Sequence, residues 1–223
     1  MLHAKNIKKR YENLHVLKGI SLELETEKIT SIVGASGAGK STLLHILGGL
    51  DRPDDGQILF QNQAFTQFSD QKLAEFRNKN IGFVFQFHNL LPEFSAFENI
   101  CLPAFIGRKK RAEVEKKAQE LLKLLGVSKR KNHRPSQLSG GEQQRVSVAR
   151  ALINSPAIVF ADEPSGNLDS QNAEELHQLF FRLRDELGQT FVIVTHNSEL
   201  SYQTDRRIEL ADGQILHDSN NLN

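Results

Sequence analysis

Three stretches of this sequence carry residues whose types and spacing suit the holding of anions or the activation of water. In the first, Gly34-Ala35-Ser36-Gly37-Ala38-Gly39-Lys40-Ser41 fits the spacing G-x-x-x-x-G-K-[ST], with Thr42 next along the chain. The glycines let successive backbone N–H groups turn inward on an anion, and a helix expected to begin at Lys40 adds the partial positive charge of its N-terminus. The chemistry this suits is a nucleotide's phosphate chain. Lys40 would reach the β- and γ-phosphates, and the Ser41 hydroxyl would ligate Mg²⁺. A glycine-rich turn that only caps a helix is the plainer alternative, and the lysine, the hydroxyl and the preceding apolar run argue against it.

The second stretch is Ile158-Val159-Phe160-Ala161-Asp162-Glu163. Four apolar residues suit a buried central strand, and two carboxylates leave its C-terminal end, where open α/β sheets hold ligands. Asp162 suits the Mg²⁺ shell through water, and Glu163 suits a general base for an attacking water. Because Pro164 follows, the pair also reads as an acidic helix N-terminus. The third stretch, Leu138-Ser139-Gly140-Gly141-Glu142-Gln143-Gln144-Arg145, is a second helix start whose two glycines let backbone N–H groups approach an anion. Ser139-x-x-Glu142 is also a capping box, so a well-capped helix is the bland reading. Both readings hold together if the serine hydroxyl turns toward a phosphate. A single site has no need of two phosphate-binding helix ends.

Taken together these residues resemble the ATPase subunits of the ABC family, whose signature the run 138–145 matches. The resemblance covers essentially the whole chain in the family's order and spacing. It implies a use for the surplus helix end: the signature of one copy closes on ATP held by a second copy, through Ser139, Gly140, Gly141 and Glu142. It implies that Gln86 contacts Mg²⁺ and the lytic water, and that His196 holds the γ-phosphate and orients Glu163. Tyr11 would stack on adenine, and Asn167-Leu168-Asp169 would be the loop through which two subunits sense each other. The activity implied is hydrolysis of ATP to ADP and phosphate.

Within that family the run 85–100, with Asp162-Glu163-Pro164-Ser165-Gly166-Asn167-Leu168-Asp169, is similar to the ATPases of bacterial lipoprotein-releasing systems. Those systems use two ATPase subunits and two membrane subunits to extract lipoproteins from the inner membrane. Macrolide- or peptide-export-type and cell-division-regulating ATPases share much of the pattern and stand as alternatives. Asn197 follows the histidine where aspartate is common, and Ser165 stands where threonine is frequent. Neither position is assigned to the chemistry. DNA-repair and chromosome-type members carry coiled coils or zinc modules between phosphate loop and signature. This interval has neither heptads nor a Cys-x-x-Cys pair, which favours transport or membrane regulation.

Phe87, Leu90, Leu91 and Phe94 gather large apolar residues just past Gln86. Pro92 breaks a helix there, so the run reads as a loop, and apolar residues on a loop read as a docking surface. The resemblance implies the same: a short cytoplasmic helix of a membrane subunit would seat here, with the chain peripheral on the cytoplasmic face of the inner membrane. The alternative is that these side chains pack beneath the neighbouring helices.

The elements that must position these groups follow from periodicity. Alternation up to about Glu25 gives strands, with Val16, Ile20, Leu22 and Leu24 apolar. Residues 29–33, 81–85, 157–161 and 190–195 are short apolar strands, and 57–60 is a strand after the turn Asp54-Asp55-Gly56. An apolar helix is expected over 40–49. Residues 89–154 read as helical, with a capping box at Ser95-x-x-Glu98 and a helix end at Gly126. A long helix closed by Gly188 precedes the last apolar strand, a hairpin turns at Asp212-Gly213, and the tail 219–223 is polar and expected to fray. The pattern is an α/β fold with a mostly parallel sheet and a helical insertion. The resemblance makes it a P-loop NTPase of ABC type, with a RecA-like core and an N-terminal antiparallel β region. One domain over 1–223 is expected, with 1–88 and 155–217 as β-subdomain and ATPase core, 89–154 as the helical signature subdomain and 218–223 as a polar tail.

Composition narrows the partners. Lys+Arg of 28 against Asp+Glu of 27 leaves a net charge of +1, which gives no general attraction to nucleic acid or to an anionic membrane surface. The basic runs 108–111 and 129–134 read as solvated faces. No apolar run approaches the roughly 18–20 residues that span a bilayer, and the start Met1-Leu2-His3-Ala4-Lys5-Asn6 has no signal-peptide pattern. The single cysteine, Cys101, lies between Ile100 and Leu102 and reads as a small buried hydrophobe.

Overall fold

The computed structural model of the chain describes residues 1–220. Strands β1 (Leu2–Tyr11) and β2 (Leu14–Leu24) form an antiparallel pair in which Leu2 faces Leu24, Ala4 faces Leu22 and Ile7 faces Ile20. Strand β3 (Ile29–Gly34) runs into the glycine-rich turn, and helix α1 (Lys40–Leu47) leaves it. Strands β4 (Asp55–Phe60) and β5 (Gln63–Ala64) complete an antiparallel sheet of order β2-β1-β4-β5.

Helix α2 (Asp70–Asn80), which apolar periodicity does not announce, is capped by Ser69 and buries Leu73 alone. Its Phe76 joins a ring cluster with Phe60, Phe65 and Phe68. Strand β6 (Ile81–Phe85) follows, and then three helices: α3 (Ala96–Ile106), α4 (Arg111–Leu124) and α5 (Gly140–Leu152). Capping boxes open α3 at Ser95/Glu98 and α5 at Ser139/Glu142. Strand β7 (Ile158–Asp162), helix α6 (Ser170–Leu187), strand β8 (Thr190–Val194), helix α7 (Ser198–Gln203) and the hairpin of β9 (Arg206–Ala211) and β10 (Gln214–Asn220) complete the chain. Gly188 ends α6 with φ of 62°, a left-handed conformation that glycine adopts without steric cost.

The second sheet has the order β10-β9-β3-β8-β7-β6, parallel except for β10. Its central strands are covered on both sides, so they read as unbroken apolar runs. Period-two alternation still divides them. Val159, Ala161, Phe191 and Ile193 face a core shared with α3, α4, α5 and α6. Ile158, Phe160, Val192 and Val194 face a second core shared with α1 and the antiparallel sheet. Cys101 is fully buried in the first core, as its apolar neighbours predict.

Two expectations are corrected here. Ser219 and Asn220, read as a fraying tail, continue β10 opposite Arg207 and Arg206, and Arg206 grips Asp218 with bonds of 2.7 and 2.6 Å. The rest of the expected tail, 221–223, lies outside the described residues. Leu90, grouped with the exposed docking residues, is half-buried and packs against the core shared by α3, α4, α5 and α6. Phe87, Leu91 and Phe94 are the exposed members, at 73%, 41% and 37%.

Candidate functional site

Chain order separates the candidate residues widely, and sheet order brings them together. Strand β3 lies between β8 and β9, and β8 lies beside β7, which lies beside β6. The four parallel strands therefore present the glycine-rich turn, His196, Asp162 with Glu163, and Gln86 along one C-terminal edge. This is where an open parallel sheet places its ligands.

The glycine-rich turn is open at its tip, where a Cβ on Gly37 would meet nothing within 4 Å. Gly39 sits at φ 98° ahead of α1, whose N-terminus has no side-chain cap and no acidic residue in its first turn. Its first N–H groups have no partner within the helix. A Cβ at Gly34 would strike the Leu210 carbonyl, so the turn can lie against β9 only as glycine. Ala35, Ser36 and Gly37 are exposed, while Lys40 is buried and bends back to donate to Gly34 O at 3.0 Å and Ala35 O at 2.9 Å. Burial pulls the Lys40 ammonium below its ordinary value, against the pull of Glu163 and Asp162. Ala38 is tied to the β9–β10 turn by the Gly213 N–H at 3.2 Å.

Across from the turn, the Ser41 hydroxyl donates to Asp162 Oδ1 at 3.0 Å. The other oxygen, Oδ2, lies 3.6 Å from His45 Nε2 on α1. A hydroxyl and a carboxylate at this separation are the hard oxygen donors that Mg²⁺ takes, with water and phosphate completing its shell. Glu163 leaves β7 with φ of 45°, a conformation disfavoured for a side chain with Cβ, and is fixed there by its N–H to Val194 O at 2.9 Å. Its Oε2 accepts the His196 N–H at 3.2 Å. Oε1 lies 3.2 Å from His196 Nε2 but is not aligned for a hydrogen bond, so this buried oxygen has no hydrogen-bond partner among the described residues. Burial raises the Glu163 carboxyl pKa, and His196 and Lys40 oppose the rise. Gln86 donates to Asn167 Oδ1 at 3.0 Å, and Asn167 returns a bond to Gln86 O at 3.2 Å, joining the end of β6 to the turn after Glu163.

The signature stands apart. Ser139 Oγ accepts from Glu142 N–H at 3.2 Å, and Glu142 accepts from Ser139 N–H at 2.9 Å and Arg130 at 2.7 Å. The Arg130 bond, first, and the Ser139 bonds hold the Glu142 carboxyl below the ordinary carboxylate range. Ser139 and Gly140 are exposed. Gly141 is buried where a Cβ would strike Asn172, whose side chain donates to Asp169 Oδ2 at 2.6 Å. Asp169 caps α6 through Asn172 N–H at 2.9 Å, so the signature and Asp169 share one rigid corner. Among the described residues no hydrogen bond or ion pair joins residues 34–42 to residues 139–142. Tyr11 is half-exposed at the end of β1, and its hydroxyl donates to Asp51 at 2.8 Å.

Sequence reasoning missed the residues that tie these parts together. Buried Gln144 on α5 donates to Phe85 O at 3.3 Å, and Arg150 donates to Asn89 O at 2.6 Å and His88 O at 2.7 Å. Asn99, buried on α3, bonds both backbone groups of Leu91 and the Phe94 carbonyl. Gln144, Ser147 and Ala151 fall on one helix face at i, i+3, i+7, so polar residues on an otherwise apolar face were the available signal.

Fold and site together define a phosphate-loop ATPase cassette. A family model described as ABC transporter matches residues 17–166. Two curated relatives are named lipoprotein-releasing system ATP-binding protein LolD. The one from Cytophaga hutchinsonii is 58% identical, over 97% of this chain and 99% of its own. The one from Bacteroides thetaiotaomicron is 55% identical, over 98% of this chain and 100% of its own. Among solved structures, the dimeric bacterial ABC transporter cassette MJ0796 superposes with a TM-score of 0.92 at 39% identity, covering all of both chains. A dimeric post-hydrolysis state of MJ0796 bound to ADP and Pi superposes with a TM-score of 0.90 at 38% identity, again over all of both chains. The chain belongs to the ABC transporter family, as one of its ATPases. No helix among the described residues is long and apolar enough to cross a membrane.

Proposed function

We propose that this chain is the motor subunit of a lipoprotein-releasing system, working as a pair of copies on a membrane partner at the cytoplasmic face of the inner membrane. The cargo assignment rests on near-full-length similarity to relatives so named. The chemistry rests on one observation above the others: the glycine-rich turn, Asp162, Glu163 and His196 share the C-terminal edge of one sheet.

In this reading the uncapped N-terminus of α1 and Lys40 hold the phosphates of ATP, and Ser41, Asp162 and Gln86 are the residues that would hold Mg²⁺. When bound there, Mg²⁺ would supply charge neutralisation at the phosphate oxygens. Glu163 is the general base. Its buried Oε1 accepts no hydrogen bond among the described residues, which leaves it able to take a proton from water, and burial makes the carboxylate more basic. His196 orients that carboxylate through its backbone N–H.

The exposed signature of one copy covers ATP on the other, since among the described residues no hydrogen bond or ion pair joins residues 139–142 to residues 34–42 of the same chain. Asp169, locked to Gly141 through Asn172, relays the state of one site to its neighbour. A cleft of about 400 Å³ lined by Leu50, Arg77, Phe83, Phe85, Asn89 and Arg150, with the exposed Phe87, Leu91 and Phe94 on the adjoining loop, is where the membrane partner docks.

Glu163→Gln tests the reading, because it keeps shape and removes the base. Purified, it binds ATP, turns over at least about a hundredfold more slowly and accumulates as an ATP-bound dimer. In place of the natural chain in cells, it leaves lipoproteins in the inner membrane. Near-normal turnover would refute the role of Glu163, and normal lipoprotein delivery by the inactive chain would refute the cargo.

A further inference from the structure

The half-exposed ring of Tyr11 is held by a network at its hydroxyl, which also faces the Thr42 side chain in the first turn of α1. The Tyr11 hydroxyl donates to Asp51 Oδ2 at 2.8 Å. The second oxygen, Oδ1, accepts from Lys9 Nζ at 2.9 Å and from Arg52 N–H at 2.7 Å. Lys9 Nζ also donates to Arg52 O at 2.7 Å, and it lies 5.2 Å from the centre of the Tyr11 ring. Asp54 stands 3.8 Å from the same ammonium. Burial alone would raise the Asp51 carboxyl, but the bonds from Lys9, Tyr11 and Arg52 outweigh it and hold the group ionised.

Asp51 is in turn referred to the phosphate-loop helix. The N–H groups of Leu50 and Asp51 donate to His45 O, near the end of α1, at 2.8 and 3.3 Å. One rigid helix therefore carries the phosphate cradle at its start and the anchor of an aromatic ring just past its end. An untethered, half-exposed tyrosine visits several rotamers, and a ligand that stacks on it must order it first. A ring fixed by a charge-assisted bond is already in place.

We propose that Asp51 is a positioning residue for the nucleotide base: backed by Lys9, it fixes the Tyr11 ring at a set distance from the phosphate cradle. This rests on the reading of Tyr11 as the adenine platform. The consequence is particular. Losing Asp51 weakens binding of ligands that carry a base and leaves binding of a bare phosphate chain unchanged.

The test measures the KM for ATP, and inhibition by inorganic tripolyphosphate, on the full chain and on Asp51→Ala, Tyr11→Phe, their combination, and Tyr11→Ala. Tyr11→Phe keeps the ring and removes only the hydroxyl, which reaches Asp51 and faces Thr42. Asp51→Ala and Tyr11→Phe should each raise KM by about three- to tenfold, the factor expected for one hydrogen bond. Saturated turnover should fall less than about twofold, and tripolyphosphate inhibition should hold steady. The combined variant should be no worse than Tyr11→Phe alone, because the Tyr11–Asp51 bond is already broken there.

Tyr11→Ala separates the two ideas. A raised KM in Tyr11→Ala with no change in Asp51→Ala and Tyr11→Phe keeps the platform and overturns the positioning role. No change in Tyr11→Ala removes the platform, and the proposal with it. Equal weakening of ATP and tripolyphosphate overturns the proposal, since Asp51 would then act through the phosphate loop.

Discussion

Arg150→Met is the substitution in which the structure makes the sharpest demand. Arg150 on α5 donates to the carbonyls of His88 and Asn89, at 2.7 and 2.6 Å, and forms no ion pair with a carboxylate among the described residues. Both acceptors belong to residues with left-handed backbone, at φ 55° and 49°. The guanidinium thus holds two strained residues at the root of the loop after Gln86. Hydrogen bonds to a charged group contribute about 1.5–3 kcal/mol each, which sets about 3–6 kcal/mol as the gross loss. Two effects reduce it. Methionine relieves the burial of a charge without a counter-ion, and Asn89, one of the two acceptors, borders a cleft open to water. A net destabilisation of about 1–3 kcal/mol is expected. Urea unfolding measures it. Amide hydrogen exchange should rise at residues 88–94 and stay unchanged in β7 and β8, because the buried strands do not depend on this tie. A methionine chain as stable as the unaltered one, with loop exchange unchanged, would refute the reasoning and mark the guanidinium as a burden rather than a tie.

Three further outcomes follow from exposure, from burial and from the separated phosphate-binding ends. Phe87→Ser with Phe94→Ser should change stability by no more than about 0.5 kcal/mol, since both are exposed, while co-purification with the membrane partner is lost. Leu90→Ser, which empties a half-buried position, should instead cost about 1–3 kcal/mol in urea unfolding, and equal stability would contradict its placement against the core. Equal amounts of Lys40→Ala and Ser139→Arg chains should form ATP-dependent heterodimers seen by sedimentation, because one of the two sites draws on both intact halves. Normal ATP hydrolysis by a strict monomer at every concentration would end the paired model.

The sequence alone determined the parts whose physics is local. Gly34 to Ser41, Asp162 with Glu163, and Ser139 to Glu142 are contiguous runs, and each needs only its own strand end or helix start. The capping boxes at Ser95 and Ser139, the helix stop at Gly188 and the hairpin at Asp212-Gly213 are local in the same sense, and all four are observed. Tertiary structure decided what depends on strand order. That β3 lies beside β8 and β8 beside β7 is not written in any window of residues, yet it places Ser41 against Asp162 and His196 against Glu163. Burial decided the rest. Leu90 turns inward while Phe87 and Phe94 do not, and Gln144, Asn99 and Arg150 spend their polar groups on loop carbonyls that the chain must satisfy once water is excluded. Each of those partners is distant in sequence or set by a loop path, so no periodicity announces it. α2 stayed unread for a related reason: it buries a single leucine, and its Phe76 finds its aromatic neighbours only when the antiparallel sheet is in place.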